Sequence, residues 1–210
     1  MTRDPHEVPC TLVSAEHQLP QIEKALVDAE RIAIDTEVPV SGPKAQQLRV
    51  MSIAVRGPDG SEHTYVVDGR DVDVTKLAPA LTGITADAWN ASFDARVIDA
   101  AVWKSADTTD GLTWWDAQLA DALLHQGRSG FTWFHGLAWA TDHYLGFAAE
   151  GKGSVQLSYT AYDDLTPEQV AYAGADAVET LWVGDAIRQA VREAGLERIC
   201  EIEMRARPFL

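Results

Sequence analysis

Between residues 31 and 67 the chain carries three apolar runs of strand length: Arg31-Ile-Ala-Ile-Asp35, Leu48 to Val55, and His63 to Val67. The second and third are separated by the turn signal Gly57-Pro58-Asp59-Gly60, which predicts an antiparallel hairpin beside the first strand. Upstream, Ile22, Ala25, Leu26 and Ala29 recur at helical spacing and predict an amphipathic helix over about residues 18–30. A loop with Pro39, Gly42 and Pro43 follows the first strand. Downstream the pattern predicts a short helix over 74–81, a short strand over 86–90, and largely helical chain from there to Ala194. The last helix has the clearest start, with Thr166 as N-cap, Pro167 in the first helical position and Gln169 three residues after the cap; Gly195 marks its end. Antiparallel strands followed by a strand–helix alternation predict an α/β domain, a mixed sheet flanked by helices.

A chain of 210 residues with 46% hydrophobic residues can bury one substantial core but not two. The first ten residues lack the apolar run of a signal peptide, and nowhere do about eighteen apolar residues follow one another, so a soluble, cytoplasmic protein with no membrane partner is expected. Cys10 and Cys200 stand far apart without further cysteine or histidine at metal spacing, which suggests neither a disulfide framework nor a zinc site. A net charge of -15, from 17 basic and 32 acidic residues, argues against a broad basic face gripping duplex phosphates.

Three local patterns carry possible chemistry. In Asp35-Thr36-Glu37 the period of a strand puts both carboxylates on one face at the end of an apolar run. Such a pair is either a solvated strand end or a place where a cation relieves the repulsion. In Trp89-Asn90-Ala91-Ser92-Phe93-Asp94 a strand gives way to a helix and delivers Asp94 near the helix N-terminus, where an acid is ordinarily a capping residue. Tyr172 and Asp176 lie four apart in the capped helix, one turn above each other on one face; the alternative is a core-edge tyrosine over a solvated aspartate. Gly174 between them hints at close approach by a neighbour.

In this order, Asp-x-Glu, Asn-x-x-Phe-Asp and Tyr-x-x-x-Asp resemble the tyrosine branch of the DEDD exonuclease superfamily, which has an RNase H-like fold. That branch includes ribonuclease D and the proofreading domains of family-A DNA polymerases. The stretches Trp115 to Leu124, Gly136 to Ala138, Gly151 to Gly153 and Leu165 to Gln169 resemble the polymerase proofreading domains too, so the likeness covers about residues 31–194. Ile202 to Leu210 is similar to the segment joining such a domain to its polymerase, which implies an exonuclease domain over 1–200 and the start of a polymerase domain over 201–210.

The resemblance implies a 3′-5′ exonuclease that shortens DNA from a single-stranded or frayed 3′ end, releasing nucleoside 5′-monophosphates as a proofreading module. Two divalent cations, Mg2+ or Mn2+, would lie about 4 Å apart. Asp35, Glu37 and Asp176 would hold the first, Asp35 bridging to the second, and Asp94 would hold the second through water. Tyr172 would orient the attacking water, while Thr36, Asn90, Phe93 and Val38 would contact substrate. Cations at a short gripped end also reconcile the acidic composition with a nucleic-acid substrate. Two departures stand out: Val38-Pro39-Val40 follows the Asp-x-Glu pattern in place of the usual threonine and wedge, and Gly151-Lys-Gly153 matches in part, leaving Lys152 as a phosphate contact or an ordinary surface lysine. Trp133, Leu137 and Ala140 share helical spacing that favours core packing over base stacking. An exoribonuclease like ribonuclease D, with RNA as substrate, and a catalytically silent domain supporting a polymerase are the alternatives.

Overall fold

The computed structural model describes residues 3–42, 44–45, 47–104, 111–126, 134–147 and 152–206, with Lys152 described by its main chain alone. Strand β1 (Cys10–Val13) leads through a 3-10 turn into α1 (Leu19–Val27); then come β2 (Arg31–Glu37), β3 (Val50–Arg56) and β4 (Glu62–Asp68). A 3-10 turn at Val74–Leu77 enters α2 (Ala78–Leu81), followed by β5 (Thr85–Ala88), α3 (Ala91–Ile98), β6 (Thr113–Asp116) and α4 (Ala117–His125). Helices α5 (Leu137–Ala140), α6 (Lys152–Val155), α7 (Pro167–Glu193) and α8 (Glu197–Ala206) complete the chain. The six strands form one sheet in the order β1-β4-β3-β2-β5-β6. Its middle, β4-β3-β2, is antiparallel, whereas β1 joins β4, β5 joins β2 and β6 joins β5 in parallel.

Alternation along β2 divides the core. Ile32 and Ile34 join a cluster with Leu19, Ile22 and Leu26 of α1 and Ala91, Ala95 and Ile98 of α3. Ala33, pointing the other way, packs with Ala54 of β3 against Ala177, Val178 and Leu181 of α7. Helix α7 therefore lies across the second face, and its start is fixed as the sequence predicts: the Thr166 hydroxyl accepts from Gln169 N–H, and the Gln169 side chain accepts from Thr166 N–H. Gly195, at φ 67°, ends it in the left-handed conformation that glycine adopts without strain. Arg49, 2% exposed, pairs with Asp68 and donates to the carbonyls of Thr160 and Asp163, both at 2.8 Å. It thereby fastens the loop before α7 to β3; leaving one member of such a buried pair alone costs about 3–5 kcal/mol.

The mixed sheet, the hairpin and the early helix match the sequence reading, with three differences. Strand β1 is not signalled by its four residues, because its pairing, Cys10 with Thr64 through Val13 with Val67, depends on a partner far along the chain. The chain after residue 90 is not all helical: Thr113–Asp116 forms β6, held by long-range register with Thr85–Ala88. The helix expected to be last is followed by α8, so residues 200 and 201 are consecutive within one helix whose Cys200 and Met204 pack with α4 and α7 side chains. Trp133, Gly151, the side chain of Lys152 and residues 207–210 lie outside the described residues. Among the described residues no helix is long and apolar enough to cross a membrane.

Gly174 does mark a close approach: a Cβ there would stand 2.9 Å from Cys10 Sγ. Gly184 is more demanding, since a Cβ would meet Asp87 Oδ2 at 2.8 Å, and Asp87 is buried and clamped by Arg188. Gly184→Ala should therefore destabilise the protein by about 1–3 kcal/mol, outweighing alanine's helix preference of about 1 kcal/mol. Guanidinium unfolding checks this; an unchanged or raised midpoint would mean that the Asp87–Arg188 pair yields freely.

Candidate active site

The strand alternation that buries Ala33 under α7 also turns Asp35 and Glu37 toward that helix. Glu37 is buried, and α7 brings Asp176 to meet the pair: one carboxylate oxygen from each of Asp35, Glu37 and Asp176 lies within 4.8 Å of the others. Tyr172, one turn earlier on α7, hydrogen-bonds Asp176 through its hydroxyl. Thr36 has the opposite parity and meets α3, where its N–H donates to Asp94 Oδ1 at 2.9 Å and its hydroxyl donates to the same oxygen at 2.7 Å. The end of β2 is thus straddled, with three carboxylates on the α7 side and Asp94 tied to it from the α3 side.

Asp94 occupies the fourth position of α3 and does not serve as its cap. The N-cap is Asn90, in a left-handed conformation (φ 66°, ψ 56°) and without a side-chain capping bond. Capping falls to Asp116 at the end of β6, whose Oδ2 accepts from Ala91 N–H at 2.9 Å and whose Oδ1 accepts from Leu119 N–H at 3.1 Å. One carboxylate therefore sets the starts of both α3 and α4, and Asp94 is left to face Thr36.

Burial pushes the Asp94 carboxyl up to about 7; the two Thr36 donors favour its ionised form, and the nearby Asp116 charge opposes it. Burial likewise drives the Tyr172 phenol far above its usual range, helped by Asp176, Glu37 and Asp35, so it stays a neutral hydroxyl. Tyr159, fully buried and donating to the Gln169 carbonyl at 2.9 Å, is raised by burial and then by Glu37, Asp35 and Asp176. Two phenols on different elements feel the same negative field. Oxygen donors converging in this way repel one another unless a cation or proton sits among them, and an all-oxygen set suits magnesium or manganese. The residues fit such ions.

Asp35, Glu37, Asp94, Tyr172 and Asp176 line one open cleft of about 650 Å³, together with Val38, Val40, Trp89, Asn90 and Phe93. Asp35, Thr36, Glu37, Val38, Asn90, Phe93, Asp94, Tyr172 and Asp176, to which the resemblance gives catalytic or substrate roles, therefore border a single space. Of these, Thr36 has its hydroxyl engaged by Asp94. The sequence reading missed Gln118 on α4, the Gly136–Ala138 segment as a wall of this space, and Gln156 and Leu157. Gln118 and Gly136–Ala138 lie in stretches that carry the family resemblance, but nothing in them points to the cleft, which they and Gln156 and Leu157 reach through the folding of α4 and the turn at Gln156–Ser158. Of the apolar residues that border the cleft, Leu157 is 66% exposed and Val40 54%.

No curated protein sequence matches the chain significantly. Solved structures are similar in fold. Escherichia coli RNase D shares 20% identity at a TM-score of 0.76, over 94% of this chain and 49% of that one. The EXO domain of Aedes aegypti Nibbler shares 20% at 0.72, over 94% of both chains. Trypanosoma brucei RNase D, solved with GMP, shares 16% at 0.71, over 87% of this chain and 58% of that one. The chain spans about half to two-thirds of the length of the RNase D structures it matches. Their common architecture is the RNase H-like exonuclease fold. A family model described as 3′-5′ exonuclease matches residues 10–192, a span that contains every residue of the cleft, and the chain belongs to that family.

Proposed function

We propose that this protein is a metal-dependent 3′-5′ exonuclease that shortens single-stranded or frayed 3′ ends of DNA one nucleotide at a time. The observation that carries the reading is the convergence of Asp35, Glu37 and Asp176 within 4.8 Å, with Asp94 tied to the same strand end, in a chain of the exonuclease family. In the reaction a water oxygen bonds to the terminal phosphorus, the P–O3′ bond breaks, and the 3′ oxygen left behind takes up a proton. A nucleoside 5′-monophosphate is released. Two divalent cations, when bound, would supply activation of the water and charge neutralisation at the leaving oxygen. Asp35, Glu37 and Asp176 would hold one of them, and Asp94, with Asp35, would hold the other.

Tyr172 orients the water without acting as a base. Its phenol stays protonated and donates to Asp176, so its oxygen is available to accept a hydrogen bond from the water and fix its direction. Asn90 and Phe93 shape the pocket of the terminal nucleotide, with Val38, Val40 and the exposed Leu157 as apolar surfaces against its base. The resemblance of residues 202–210 to a polymerase junction supports the DNA reading and a polymerase domain continuing the chain. An exoribonuclease is the second reading, favoured by the fold likeness to RNase D structures, one of which was solved with GMP.

Matched 5′-labelled DNA and RNA oligomers, incubated with magnesium or manganese and with chelator as control, distinguish these readings. Stepwise 3′ shortening of DNA, abolished by chelator, is expected; equal or faster RNA shortening would move the assignment to the exoribonuclease, and no cleavage of either would remove both. Asp35→Ala should leave less than about a tenth of the activity, a barrier increase above about 1.4 kcal/mol, while circular dichroism shows the fold intact. More activity than that would contradict the shared-ligand role. Tyr172→Phe should slow turnover while calorimetry shows unchanged manganese binding; weakened binding would place Tyr172 in the metal site itself.

A further inference from the structure

A second cluster of ligating side chains lies on α4 and the chain entering α5. Asp121 and His125 are four apart on α4, and His135 approaches from the following segment; one ligand atom from each lies within 4.8 Å of the others. The Asp121 carboxylate is fully buried. Its Oδ2 is 2.7 Å from His135 Nδ1, its Oδ1 is 3.2 Å from His125 Nδ1, and Oδ1 also accepts from the Tyr144 hydroxyl at 2.7 Å. Among the described residues its ion pairs are with these two histidines alone, with no lysine or arginine. We propose that Asp121, His125 and His135 bind one transition-metal ion of the zinc class, at a site separate from the carboxylates in the cleft, and that this ion pins α4 to the chain entering α5.

The donor chemistry selects the ion. Two imidazoles and one carboxylate suit zinc and its neighbours, whereas the all-oxygen cluster of the cleft suits magnesium or manganese. Ligands about 2.1 Å from one ion stand about 3.4 Å apart in a tetrahedron; His125 Nδ1, 3.2 Å from Oδ1, is near that spacing but must exchange its 2.9 Å contact with the Asp121 carbonyl oxygen for the ion, and His135 Nδ1, 2.7 Å from Oδ2, must open by about 0.7 Å. The surroundings hold the donors in place. Tyr144 holds Oδ1 of the carboxylate, and the His135 ring is stacked on Trp139 at 3.5 Å between centroids, with the His125 ring edge-on to both. Both histidine side chains are partly exposed, at 12% and 18%, which leaves a path for the ion and room for water in the fourth position. The site also touches the cleft: Gln118, which lines it, donates through Nε2 to the His135 carbonyl at 2.8 Å, and Gly136–Ala138 form the adjoining wall. An ion here would stiffen that wall without contacting substrate.

The test uses the full chain carrying Asp35→Asn and Asp176→Asn, which weakens the oxygen cluster and leaves the second cluster untouched. Titrated with Co2+, it should bind one equivalent with visible ligand-field absorption, displaced by Zn2+, and adding His125→Gln or His135→Gln should weaken that binding at least tenfold. Absence of a stoichiometric cobalt spectrum, or a spectrum that survives both histidine substitutions, would overturn the proposal. A second measurement does not depend on the histidine variants folding. With both histidines intact, one equivalent of Zn2+ should slow carbethoxylation of His125 and His135 by diethylpyrocarbonate, read by peptide mass spectrometry, and unchanged modification rates would equally overturn it.

Discussion

The close seating of α7 on the sheet is the constraint on which the rest depends. A helix can bring a carboxylate to within a metal's reach of a neighbouring strand only if the side chains between the two backbones are small, and here Ala33 and Ala54 of the sheet meet Ala177 of the helix. Gly174 against Cys10 and Gly184 against Asp87 keep the approach close above and below that contact. The capping box at Thr166 and the anchoring of the preceding loop by Arg49 set where along its axis the helix begins, and so which turn faces β2. With these fixed, Tyr172 and Asp176 have little choice but to meet Asp35 and Glu37.

Such a meeting is electrostatically adverse, and the protein offsets it in different ways at different carboxylates. Asp87 and Asp68 are buried but paired with arginines, and Asp116 is satisfied by two helix N-termini. The carboxylates of the cleft are gathered on one strand end and one helix turn, and their field reaches the phenols of Tyr159 and Tyr172. Acidity in this chain is therefore put to different uses: Asp68 and Asp87 anchor arginines, Asp116 sets two helix starts, and Asp35, Glu37 and Asp176 converge in the cleft.

Much of this was legible in the sequence. Strands β2 to β4 are seven residues each and carry their own turn signal, so local pattern suffices for them; β1 and β6 have four residues each and exist only through partners distant in the chain. The acids of the site were legible because strand and helix periods fix which neighbours share a face, as for Asp35 with Glu37 and Tyr172 with Asp176. The position of Asp94 was ambiguous, since an acid early in a helix ordinarily caps it. What resolves the ambiguity is Asp116, whose bond to Ala91 N–H crosses between two elements and has no trace in the local pattern around Asp94. Gln118, Gln156 and Leu157 were invisible for the same reason, as they belong to the cleft by tertiary placement alone.

Helix α8 has a consequence for the sheet's outer boundary. Among the described residues β6 pairs with β5 alone, and an unpartnered strand edge offers its amides and carbonyls to any other extended chain. On the open side, Met204 of α8 presents its thioether sulfur to the Asp116 N–H at 3.2 Å, while Cys200 and Met204 pack with Trp115 and α7 side chains. A thioether is a poor acceptor, yet its bulk occupies the lane that an incoming strand would need. The helix thus acts as a bumper along this margin, preventing the sheet from recruiting a seventh strand next to the residue that sets the starts of α3 and α4.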